Sequence, residues 1–293
     1  MTATIMDGRA LAASIETSLA SQVSKMKGLG TNPTLATVLV GDDPASKVYL
    51  GSKHRAAKRT GITSTSHSLP ASSSEAQVVS LIRQLNEDRS VHGILLQLPL
   101  PDHLDQRRVV EAISPEKDVD GLTSTNTGRL FYGEADLVPC TPRGVMELLH
   151  HYKVKIPSST AVIINRSALV GKPLYHLLLS EDATVTMCHS KSPDLAAVAS
   201  RADILITAVG RRPRFTLTAD MVREGAVVVD VAMNRVGDKL VGDADFESVS
   251  KKASYITPVP GGVGPMTVIM LIQNTLIAAS RQAGLLLPSV ARG

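Results

Sequence analysis

Tyr49 and Lys53 stand four residues apart, so any helix that carries them presents both on one face. A lysine amine can give and take a proton, but a free one is almost fully charged at neutral pH. Acid–base work therefore calls for desolvation or a nearby positive charge. Lys47, His54, Arg55, Lys58 and Arg59 crowd the same segment, and by residue type alone any lysine here reads as a solvated surface charge. Gln97 follows the apolar run Ile94-Leu95-Leu96 and precedes Pro99 by two positions. An amide at the C-terminal end of a parallel strand lies where α/β sheets place their sites, although a neighbouring loop could equally satisfy it. Asp118 and Asp120, in Lys117-Asp118-Val119-Asp120-Gly121, can accept paired N–H donors or merely shape a turn.

A second group of residues suits phosphate. Residues 163–173, Ile-Ile-Asn-Arg-Ser-Ala-Leu-Val-Gly-Lys-Pro, read as strand, loop and helix start, the place where a Rossmann-like unit meets a dinucleotide. The G-x-G-x-x-G fingerprint is absent, so this segment alone also reads as a plain strand-to-helix turn. Residues 257–265 hold three prolines and three glycines. Proline fixes φ and glycine opens φ > 0, so the run reads as a rigid loop that lets backbone approach something closely. An ordinary helix-entry turn needs only one or two such residues. His189 has no partner at ligand spacing, and no metal is expected.

Alternating strand and helix patterns position these residues. Leu11, Ile15, Leu19 and Val23 mark an amphipathic opening helix. Leu35–Val40 reads as a buried strand. Asp43-Pro44 starts a helix that Gly61 stops after Lys58-Arg59. Strand-like Ile62–Ser68, a helix near Ser74–Asp88 and a strand over Gly93–Leu98 follow. A second series holds strands near Thr160–Ile164, Thr184–Cys188, Ile204–Ala208 and Ala226–Val231, then a long helix over Met266–Ala283. The tail Gly284–Gly293 is expected to fray. The fold class is α/β, with parallel sheets in two domains.

Bulk properties narrow the function. The 293 residues suffice for two cores, and 43% apolar with 20% charged residues is an ordinary globular composition. The net charge of +4 suits anionic small molecules. Basic clusters at Arg55/Lys58/Arg59 and Arg211/Arg212/Arg214 lack aromatic stacking platforms, so no nucleic-acid partner is expected. Cys140 and Cys188 show no disulfide framework, which fits a reduced compartment. The N-terminus shows no signal pattern, and no uncharged run is expected to reach membrane-spanning length. A cytoplasmic protein with no membrane partner is the expectation.

Six stretches, in order, resemble the methylenetetrahydrofolate dehydrogenase/cyclohydrolase family: Pro44–Ile62, Gly93–Pro101, Pro115–Leu130, Arg166–Pro173, Val229–Arg235 and Thr257–Pro265. The resemblance implies oxidation of 5,10-methylenetetrahydrofolate to the methenyl compound with NADP, then hydrolysis to 10-formyltetrahydrofolate. The alternative within enzymes is a dehydrogenase with weak or absent cyclohydrolase activity. The implied folate-binding catalytic domain covers 1–143 and is completed by helix 266–293. An NADP-binding domain covers 144–265, and long helices join the two.

By the same resemblance Lys53, Gln97 and Asp120 are catalytic, and Tyr49, Asp120, Pro260, Gly261 and Gly262 bind folate. Asn165, Arg166, Ser167, Gly171, Ser190 and Ala232 bind the cofactor, with Arg166 and Ser190 meeting the 2′-phosphate. A homodimer through the cofactor domains is implied as well. Three features depart from the family pattern and bear on the cofactor pose: Asn165 and Ala232 stand where glycines are usual, and the turn Gly210–Arg214 is longer and more basic.

Overall fold

The computed structural model describes residues 2–285; the frayed end expected for the tail lies, from residue 286 onward, outside the described residues. By internal contacts the chain divides into two units, Ala13–Cys140 with Val268–Gly293, and Met1–Ala12 with Thr141–Thr267. The divisions fall inside three helices: α1 (Gly8–Gly28), α6 (Cys140–His151) and α10 (Val263–Gln282). Residues 1–12, which the family resemblance puts with the folate domain, join the other unit. The cause is a two-residue strand, β1 (Thr4–Ile5), that pairs in parallel with β11 (Tyr255–Ile256).

The first unit is built on a parallel sheet of three strands: β2 (Thr34–Val40) lies between β3 (Thr63–Leu69) and β4 (Gly93–Leu96). Every residue of β2 is buried, as expected of the apolar central strand of a covered parallel sheet. Helix α2 (Pro44–Thr60) follows it. The Asp43 carboxylate accepts from the Ser46 N–H at 2.7 Å, and Gly61 closes the helix at φ 83°. Helix α3 (Glu75–Glu87) opens with a reciprocal Ser74–Gln77 capping box. Val38, Val40, Val78, Ile82, Ile94, Leu96 and Val109 form the core beneath them. Short helices α4 (Gln106–Glu111) and α5 (Ser124–Phe131) complete the segment before α6.

The second unit carries a six-stranded sheet in the order β1-β11-β8-β7-β5-β6, parallel throughout. Its other strands are β5 (Thr160–Ile164), β6 (Thr184–Cys188), β7 (Ile204–Thr207) and β8 (Val227–Asp230). Helices α7 (Gly171–Leu179), α8 (Leu195–Ala199) and α9 (Phe246–Ser250) connect them, and β9 (Asn234–Val236) with β10 (Lys239–Val241) forms an antiparallel hairpin. Val162, Ile164, Leu205, Val228 and Ile256 fill this core.

Helix α10 corrects one reading of the sequence. Its 20 residues are long and apolar enough to cross a membrane by length and composition, because no charge interrupts residues 261–280. The helix is nonetheless mostly buried among protein neighbours. Gln273, Asn274 and Thr275 stand within it, each at most 1% exposed. It also begins at Val263, three residues earlier than the pattern suggests, since Pro265 is tolerated in a first turn.

Candidate active site

In the first unit, Lys53 and Gln97 meet. The Lys53 ammonium, half-buried on α2, donates to Gln97 Oε1 at 3.1 Å. Gln97 is buried, and its Nε2 donates to the Leu98 carbonyl at 2.7 Å. Strand β4 ends at Leu96, so Gln97 is the first residue past it. Its backbone N–H still bonds the Val38 carbonyl at 2.9 Å, which holds the side chain at the C-terminal end of the sheet. Tyr49 lies one turn before Lys53 and is 42% exposed. Partial burial raises its phenol pKa, so it stays protonated.

Asp120 reaches the same end of the sheet by a different route. Ile94 bridges Asp118 in parallel, and its N–H bonds the Lys117 carbonyl at 2.7 Å. Asp118, 1% exposed, spends its carboxylate on the Thr123 N–H at 2.8 Å and Asn126 Nδ2 at 2.9 Å. Burial pushes its pKa up against those bonds. Gly121 sits at φ 65°, where a Cβ would lie 2.6 Å from the Leu137 carbonyl oxygen. From α10, Asn274 Nδ2 donates to the carbonyls of Val119 and Val138 at 2.7 and 2.8 Å. Asp120 itself stays half-exposed between these anchored residues. Of the two aspartates, Asp118 builds the turn and Asp120 is the accessible one.

Three positioning groups escaped the sequence reading: Asn274, Lys117 and His54. Asn274 is a polar residue in a buried helix, a detectable signal. Lys117, 5% exposed, donates to the carbonyls of Leu85, Asn86 and Asp88 and so caps the end of α3. His54 bonds Thr37 Oγ1 through Nε2 at 3.2 Å and Ser64 Oγ through Nδ1 at 2.9 Å. Burial, then the charge of Lys53, lowers its pKa and keeps it neutral.

In the second unit the expected cofactor residues fall along one line. Ile164 is in register with Cys188 on one side and Thr207 on the other, and Thr207 with Asp230. Asn165 is one residue beyond that row; Arg166, Ser190 and Ala232 are each two beyond. Arg166 and Ser190 thus leave adjacent strand ends, both exposed. Ser167 and Gly171 bound the loop into α7, where Gly171 is required because a Cβ would lie 2.4 Å from the Asn165 carbonyl oxygen.

Two buried carboxylates tie the surrounding loops together. Asp243, 0% exposed, accepts from Thr207 Oγ1, the N–H groups of Val209 and Gly210, and Asn234 Nδ2. Asp230 accepts from the N–H groups of Ala232 and Ala244. Burial, reinforced by the charge of Asp243, pushes its pKa up to about 6. Arg212 donates to the carbonyls of Gly242 and Ala244, so the basic turn spends this arginine on structure. Arg211 and Arg214 remain exposed.

Pro260, Gly261 and Gly262 belong to this second unit and pack on the start of α1. Gly261 takes φ 116°, and the Arg9 N–H bonds its carbonyl at 3.1 Å. A Cβ on Gly8 would lie 1.9 Å from the Gly262 oxygen. The close approach read from the proline–glycine run is therefore made, in part, to the protein's own backbone.

A doubly wound parallel sheet with exposed basic and hydroxyl groups beyond its strand ends, together with a second α/β unit presenting a lysine–amide pair, defines a dinucleotide-dependent enzyme of two units. The description "tetrahydrofolate dehydrogenase/cyclohydrolase, catalytic domain" matches residues 6–120. Its NAD(P)-binding counterpart matches residues 139–283. The chain is 55% identical over 275 residues to the bifunctional protein FolD of Cenarchaeum symbiosum, covering 94% of this chain and 98% of that one. The structure of the Campylobacter jejuni enzyme FolD is 47% identical with a TM-score of 0.92, over 95% of this chain and 99% of that one. A Trypanosoma brucei FolD structure, described as complexed with NADP cofactor and inhibitor, is 38% identical with a TM-score of 0.92, over 97% and 99%.

The chain belongs to the tetrahydrofolate dehydrogenase/cyclohydrolase family. It is a bifunctional enzyme, a methylenetetrahydrofolate dehydrogenase and a methenyltetrahydrofolate cyclohydrolase.

Proposed function

We propose that Lys53, held by Gln97, moves the proton in the hydrolytic step, and that Arg166 with Ser190 makes NADP the cofactor. The observation that carries the catalytic assignment is the 3.1 Å bond from Lys53 Nζ to Gln97 Oε1.

In the first reaction, electron push from a tetrahydrofolate nitrogen expels hydride from the methylene carbon, and NADP supplies the hydride acceptor. This step depends on alignment more than on an acid or base. Tyr49 stacks on the folate ring, and the Asp120 carboxylate accepts paired N–H donors of the pterin. In the second reaction water adds to the methenyl carbon and the ring opens, which requires proton transfer. Gln97 orients the Lys53 amine without adding charge. The enzyme works in the cytoplasm as a homodimer. Following NADPH appearance and methenyl decay together in one cuvette tests both activities. NADPH formation with methenyl that accumulates and decays only at the spontaneous rate would refute the hydrolytic half.

A further inference from the structure

Position 165 holds asparagine, where the resemblance described above implies the glycine of a dinucleotide loop. Two questions decide what asparagine does there: whether its backbone takes a positive φ, which asparagine tolerates better than most residues, and whether its side chain points toward the cofactor. The structure shows neither backbone strain nor a side chain left over. Asn165 is absent from the residues with positive φ. Its Oδ1 accepts from the N–H of Ser167 at 2.7 Å and of Gly171 at 3.1 Å. Its Nδ2 donates to the Ala208 carbonyl at 2.6 Å. Both lone-pair directions of the amide oxygen and one of its two N–H donors are therefore used inward.

These three bonds do two things. The two to Oδ1 close the loop between β5 and α7 on itself, with Ser167 Oγ adding a bond from the Val170 N–H at 3.1 Å. The bond to Ala208 ties that loop to the residue just past β7. The neighbouring turn at Val209 and Gly210 is held in turn by Asp243. Arg166 is covalently next to Asn165, so the closed loop sets the direction from which its guanidinium leaves the backbone. A glycine would leave all three bonds unmade.

We infer that Asn165 is a positioning residue that locks the dinucleotide loop before the cofactor arrives, presenting Arg166 to the 2′-phosphate; this rests on the NADP reading above. Pre-ordering a loop removes an ordering cost that binding would otherwise bear. The lock therefore acts on cofactor affinity rather than on the hydride step, and more on NADP than on NAD.

Asn165→Ala and Asn165→Gly test this, with Arg166→Ala measured beside them. Alanine removes the side-chain lock yet keeps an ordinary backbone, whereas glycine also frees the backbone. Both should raise the KM for NADP about tenfold, the scale of one or two hydrogen bonds. The KM for NAD should rise less, and kcat should change little beside KM. A cooperative melting transition near that of wild type, which registers disorder in the unit that carries Asn165, reports that each variant is folded. A folded Asn165→Ala variant with unchanged KM for NADP overturns the inference, as does a rise in KM confined to glycine or equal for both cofactors. If Arg166→Ala leaves the NADP preference intact, the reading of the 2′-phosphate residues falls instead.

Discussion

The two units solve one problem, holding a site at the C-terminal end of a parallel sheet, in opposite ways. In the three-stranded unit the proposed reactive groups are side chains, Lys53, Gln97 and Asp120. Their supports are uncharged amides and backbone, with Asp118 and Lys117 as buried anchors two and three residues from Asp120. In the six-stranded unit the site consists of loops, and the buried carboxylates of Asp230 and Asp243 bind backbone N–H groups to hold them. A charge removed from the second unit should therefore disorder cofactor-binding loops. A charge removed from Lys53 should stop chemistry on an intact fold.

The sharpest way to break this contrast is Asp243→Ala. It strands the buried hydroxyl of Thr207 and two backbone N–H groups, each costing roughly 1–3 kcal/mol when left unpaired. A loss of at least ~3 kcal/mol is expected, seen as a lowered melting transition with dehydrogenase activity failing before methenyl hydrolysis. Equal loss of both activities would erase the distinction between the units.

Asp230 gives the next effect, through pH. Its folded pKa of about 6 lies above the unfolded value of 3.8, so between those values the folded state binds more protons. Stability from this group is therefore full below about pH 4 and lost as pH rises through about 6, amounting to roughly 3 kcal/mol at most. Other carboxylates slope the opposite way, so the difference between wild type and Asp230→Asn across pH 4–7 isolates it, both measured by denaturant unfolding. A flat difference would mean that Asp230 is ordinarily acidic in the folded protein.

Arg166→Ala should lower the NADP/NAD ratio of catalytic efficiencies by about 10- to 150-fold, the range of a charge-assisted hydrogen bond. Because Arg166 is exposed in the free protein, high salt should shrink the effect. An unmoved ratio would remove the assignment. Smallest is Lys117→Met, which fills the same space but leaves the end of α3 uncapped. A loss of ~1–2 kcal/mol in unfolding free energy is expected with hydrolysis retained, and loss of hydrolysis in the folded variant would make Lys117 more than an anchor.

Local chemistry was readable before the fold. Asp43 and Gly61 bracket α2 as their residue types demand, and a helix near Ser74–Asp88 is found as α3. What stayed hidden depends on distant partners. The two-residue strands β1 and β11 have no pattern of their own and exist by pairing with each other and with β8. The hairpin of β9 and β10 is three residues a side, too short for a periodic signal. Asp243 looks like a loop aspartate until Thr207 and Gly210 close on it. At Asn165 the sequence shows only an asparagine in place of the expected glycine, and the positions of Ser167, Gly171 and Ala208 reveal three well-made bonds.

The central claim is that the amine paired with Gln97 carries the hydrolytic proton transfer, and Lys53→Met tests it most directly. A thioether fills similar space but exchanges no proton. With methenyltetrahydrofolate added to the folded variant, its decay should fall to the spontaneous rate, while hydride transfer to NADP from the methylene substrate is reduced less. Methenyl hydrolysis at the wild-type rate in that variant would contradict the account.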